Sequence, residues 1–119
     1  MNASLQETDL QLLASESLTG FEQRVAAIPS DLNAPFHAEA RRLEAELLTV
    51  YRVVALCTKR EEDLDKVAHW WGTMVGVCDS FAQRLSKLVA DQPAAGAEAY
   101  YDRVLELRSK CLRLQKMHA

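Results

Sequence analysis

Apolar residues recur along this chain at alternating steps of three and four in three separate stretches. Phe36, Ala40, Leu43, Leu47, Val50, Val54 and Cys57 form the first. Leu64, Val67, Trp71, Met74, Cys78, Phe81, Leu85 and Leu88 form the second, and Ala97, Tyr100, Val104, Leu107, Cys111 and Leu114 the third. This spacing returns one side chain per turn to the same flank of an α-helix, so each stretch predicts a helix that buries one seam against its neighbours. No polar residue interrupts any of the three. A weaker pattern runs through Leu18, Phe21, Val25 and Ile28. There Ser15, Ser17, Thr19 and Gly20 lower the helix propensity, and Leu10, Leu12 and Leu13 face the core only after a bend.

Local start and stop signals set the ends of these helices. Ser4-Leu5-Gln6-Glu7 and Thr8-Asp9-Leu10-Gln11 both fit a capping box, and Pro29-Ser30-Asp31 closes a first helix predicted over about 5–28. Pro35 suits the first position of a second helix, over about 35–58, because its missing N–H would have no partner there. Five consecutive charges, Lys59-Arg60-Glu61-Glu62-Asp63, leave a helix no buried face for more than a turn. Thr58 and Glu61 also fit a capping box, so a turn is expected before a third helix over about 61–91. The competing arrangement is one helix from 35 to 91, since Cys57, Leu64, Ala68, Trp71 and Val75 nearly continue the stripe. Asp91-Gln92-Pro93-Ala94-Ala95-Gly96 reads as a loop, followed by a fourth helix over about 97–117. The expected fold is all-α: an antiparallel up-down four-helix bundle forming one domain over residues 1–119. In that register Cys78 lies level with Cys111, and Val50 with Trp70.

Composition narrows the function. With 119 residues, 49% hydrophobic and 26% charged, the chain can bury a core without disulfide or metal staples. A net charge of −3 gives no general attraction to nucleic acid. The basic run Arg103, Arg108, Lys110, Arg113 and Lys116 reads as complementing a helix C-terminus, diluted by Asp102 and Glu106. The longest uncharged run, residues 67–78, is 12 residues, short of the roughly 20 that a membrane-spanning helix needs. The first twenty residues lack a basic segment followed by an apolar run, so no secretory leader is expected. Three cysteines, an odd number, all at seam positions, point to a reducing, cytoplasmic setting. No seam position carries Asp or Glu, so a buried carboxylate metal site is not expected. Nor do a phosphate-binding glycine loop or a nucleophile–base pattern stand out. The chain is therefore read as a non-enzyme with no cofactor and no metal.

What remains is a surface. Gly72 and Gly76 lie one turn apart inside a helix, where each costs about 1 kcal/mol against alanine, and Thr73 shares their face. Small residues so placed let another helix backbone approach. Trp70 and Val77 flank them, and Leu48 and Leu56 add apolar surface beyond what one seam hides. These seven residues, Leu48, Leu56, Trp70, Gly72, Thr73, Gly76 and Val77, predict an interaction or scaffold module that self-associates or docks a partner helix, most simply as a homodimer joined across this region. His69 heads the same face and should be exposed, with a reachable imidazole beside small residues. The stretch Ala68-His69-Trp70-Trp71-Gly72 resembles the Ala-His-x-x-Lys-Gly segment of histidine-phosphotransfer domains, which are helical bundles of similar size. The family's lysine is absent, the glycine falls one residue early, and Lys66 is a base one turn away. That resemblance implies an alternative function, a signalling module with His69 as phosphoacceptor.

Overall fold

The computed structural model describes residues 6–118. Five α-helices follow one another: α1 (Glu7–Glu16), α2 (Leu18–Ala26), α3 (Phe36–Arg60), α4 (Leu64–Asp91) and α5 (Ala97–His118). No strand occurs among the described residues. The fold is a helical bundle, with one helix more than the seams predict.

The extra helix comes from a break at Ser17, inside the span predicted as one helix over 5–28. Ser17 is extended (φ −162°, ψ 121°), and its Oγ accepts the N–H of Gly20 at 3.1 Å, which makes it the N-cap of α2. Just before it, the Ser15 hydroxyl donates back to the Leu12 carbonyl at 2.8 Å, a local bond that competes with helix continuation. The bend turns Leu10 fully inward and leaves Leu12 exposed. The Thr8 capping box does not form: Gln6 occupies the N-cap without a side-chain bond, and Ser4 lies outside the described residues.

The turn between the second and third predicted helices is present, and the single long helix is not. Helix α3 ends at Arg60, Glu61 is extended, and the Asp63 carboxylate accepts the Asp65 N–H at 3.0 Å as the N-cap of α4. The capping residue is thus Asp63 rather than Thr58, whose hydroxyl instead donates to the Ala55 carbonyl. Starting at residue 64 rather than 61 places Leu64 at the first helical position, 59% exposed and off the seam.

Helices α3, α4 and α5 run alternately up, down and up. Antiparallel pairing of α4 with α5 brings Gly72 to Gln115 and Asp79 to Arg108, and Cys78 meets Cys111 at the level the spacing predicts. Tyr51 of α3 packs on Trp71 of α4 with ring centroids 5.8 Å apart. The three seams supply the core, in which Ala40, Val50, Val54, Met74, Cys78 and Cys111 are sealed from solvent. Helix α4 is the centre, burying Trp70, Val75 and Val77 as well as its seam, because it has neighbours on more than one side. Helix α1 packs on α3, whereas α2 reaches α4 through Phe21, whose ring meets Trp70 edge-on at 5.2 Å.

The connection of residues 27–35 buries Ile28 in the core, packs Leu32 against it, and is held further by polar ties. Arg84 donates to the carbonyls of Ile28 and Ala26, at the C-terminus of α2. Gln92 donates to the Leu32 and Ala34 carbonyls. Buried Glu39 accepts the Asp31 N–H at 2.6 Å and pairs with Arg42, whose guanidinium also donates to the Pro29 carbonyl. Burial opposes the charge on Glu39, but the Arg42 hydrogen bonds and the Asp31 N–H outweigh it and hold the carboxyl below its ordinary value. A buried carboxylate in α3 departs from the expectation of an all-apolar interior, and here it closes a loop.

Candidate docking groove

The face of α4 that leads away from its seam begins at His69 and continues through Gly72, Thr73, Gly76 and Ser80, one residue per turn or closer. Helix α2, pinned by Phe21 on Trp70, lies along one side of this face and contributes Glu22, Val25 and Ala26. Gln115 of α5 reaches over the other side, and Val77 forms part of the floor. Together these residues enclose an open trough of about 600 Å³.

The two glycines do different things in it. A Cβ on Gly72 would lie 2.6 Å from Nε2 of Gln115, so the missing side chain is the space into which this amide folds. A Cβ on Gly76 would meet nothing within 4 Å. Gly72 therefore serves contact within the chain, while Gly76 leaves bare helix backbone at the floor of the trough. His69 sits exposed at the rim and, among the described residues, makes no hydrogen bond or ion pair. It also borders a smaller hollow with Glu61, Asp65 and Lys66, in which Lys66 Nζ is 4.0 Å from Glu61 Oε1.

The residues read from the sequence as one surface divide. Gly72, Thr73, Gly76 and Val77 come together in the trough beside His69. Trp70 does not flank it as an exposed anchor: it is buried and holds α2 in place. Val77 is likewise buried. Leu56 is half-buried, and Leu48, 43% exposed, lies on α3 facing α5, in a different groove. Ser80 could have been read from the sequence, being four residues beyond Gly76 on the same face. Glu22, Val25, Ala26 and Gln115 could not, because only the packing of α2 and α5 brings them there.

Chemistry elsewhere is limited. Cys78 and Cys111 are free thiols, fully buried and in mutual contact, and the hydrogen bond with burial pushes the Cys78 thiol well above its ordinary range. Among the described residues no three His, Cys, Asp or Glu side chains gather as a metal ion would require, and no helix is long and apolar enough to cross a membrane. Fold and site together describe a helical bundle with a glycine-floored trough between three of its helices. No protein-family model, curated protein or solved structure matches the chain.

Proposed function

We propose that the protein is a non-enzymatic helical interaction module that receives a helix of another protein in the trough between α2, α4 and α5. The observation that carries this reading is the open space over Gly76. Glycine in the middle of a 28-residue helix costs about 1 kcal/mol against alanine, and none of the described residues occupies the place of its missing Cβ. A helix laid across that point offsets the cost by close backbone approach, with Val25 and Val77 beneath it and Glu22, Thr73, Ser80 and Gln115 at the margins. The concave form favours a convex occupant. Two such troughs facing each other across a two-fold axis would enclose a void, which argues against the homodimer joined through this region.

A photoreactive residue at Thr73, introduced into the full chain in its own cells, tests the reading. A discrete cross-linked partner is expected, mapped to a helical segment and lost when Gly76→Leu fills the floor. Cross-linking that survives Gly76→Leu, or none at all, contradicts it.

The exposure of His69 at the trough's rim, free of any partner among the described residues, favours a second reading as a phosphoacceptor. It is weakened by the missing lysine of the phosphotransfer segment, since Lys66, the nearest base along the helix, lies 4.0 Å from Glu61. Transfer of phosphate from a phosphorylated response regulator to the wild type, and not to His69→Gln, would establish it.

A further inference from the structure

Helix α5 presents two apolar side chains outward, one turn apart: Tyr101 and Leu105 are 38% and 39% exposed, and Leu112, two turns beyond Leu105 on the same face, is half-buried against the core. Leu105 stands as a ridge between two hollows. One, of about 920 Å³, lies against α3 and includes Leu47 and the exposed Leu48; the other, of about 540 Å³, lies against α4 and includes Ala82 and Tyr101. A contact between identical copies across a two-fold axis needs a convex and a concave feature on one patch, since each copy offers both. A ridge beside a groove is such a patch.

The charges on α5 carry the argument further. Glu98, Asp102 and Glu106 fall in the first half of the helix, and Lys110, Arg113 and Lys116 in the second. The two remaining arginines are neutralised within the chain, Arg103 by Glu44 and Arg108 by Asp79 at 2.6 Å. Among the described residues Glu98, Asp102, Glu106, Arg113 and Lys116 form no ion pair, while Lys110 lies over the Tyr51 ring at 5.1 Å. The exposed side is thus acidic, then basic, and nearly mirror-symmetric about residues 107 and 108. Reversing a second copy about that point sets Asp102 opposite Arg113, Glu106 opposite Lys110 and Glu98 opposite Lys116, each to within about a residue. A parallel copy would set acid on acid. The net charge of −3 adds only weak repulsion between copies.

We propose that α5 is a self-association surface: two copies pair α5 against α5, antiparallel, with Leu105 and Tyr101 of each seated in the hollow beside the other's ridge. At 22 residues the helix is about 33 Å long, and the hollows against α3 and α4 widen the patch beyond the helix itself. The proposal stands on α5 and does not depend on the trough over Gly76.

Sedimentation equilibrium on the full chain tests it, with circular dichroism as the check on folding. The wild type is expected at twice 13.3 kDa at micromolar concentration. Leu105→Glu, at an exposed position, should keep the helical spectrum and weaken dimerisation at least tenfold. Asp102→Arg and Arg113→Asp should each weaken it, and the double swap should restore it, because every copy then again meets its opposite charge. Gly76→Leu should leave the dimer intact. A monomer at high micromolar concentration, a dimer indifferent to Leu105→Glu, or a double swap no tighter than the single variants overturns the proposal.

Discussion

Glu39 shows how one buried charge is made tolerable. Its side chain is 2% exposed, yet its two oxygens receive Arg42 at 2.7 Å and the Asp31 N–H at 2.6 Å, so the charge is matched by donors already in place. Because folding lowers its pKa below the ordinary 4.5, the resulting stability is complete above that value and is lost as pH falls through the lower, folded one. Glu39→Gln should destabilise the protein by about 1–3 kcal/mol at neutral pH. The gap from wild type should close on acidification below pH 4.5, as read by urea denaturation at a series of pH values. A gap that stays constant with pH would show that the carboxylate's charge is not what holds the loop. Spacing could not reveal this residue: Glu39 precedes Ala40 on the seam's edge and looks like a solvated position. It becomes buried only because residues 27–35 fold over the start of α3.

At the level of helices, the sequence was legible where a seam was long. The inward positions of α3 and α4 from Phe36 to Val54 and from Val67 to Leu88 are buried as the spacing requires. Ends were read less well, because caps depend on single side chains. Asp63, rather than Thr58, starts α4, and one serine divides the first predicted helix. Ser17 was visible as a residue of low helix propensity but not as an N-cap, since an extended serine and a helical one look alike in a short amphipathic stretch. Ser17→Ala should cost about 1 kcal/mol in thermal or chemical unfolding, through the lost bond to Gly20. No loss would mean that the break is dictated by packing of Phe21 and Leu10 instead. The surface residues were the least legible. Trp70 beside two glycines suggested an exposed anchor, and the arrival of Phe21 from α2 made it part of the core.

The whole molecule measures 44 × 32 × 16 Å between Cα extremes. Two layers of helices with axes about 10 Å apart span roughly 15 Å between Cα atoms, so the bundle is two layers thick and its broad faces are close to the core everywhere. This is why the chain has more apolar positions than interior, and why α5 can present Leu105 outward while its other side is fully engaged. It also explains how a short helix such as α2 can wall a trough without filling it. The proposed docking role rests on the monomer being complete while the space over Gly76 stands empty. The most direct measurement is the unfolding free energy of Gly76→Ala in the isolated protein, beside Gly72→Ala as a control whose Cβ must displace Gln115. Gly76→Ala is predicted to be more stable than wild type by about 0.8–1 kcal/mol, the helix-propensity difference with no steric penalty. A less stable Gly76→Ala would mean that the fold itself needs the glycine, and would contradict the claim that the space is kept for a partner.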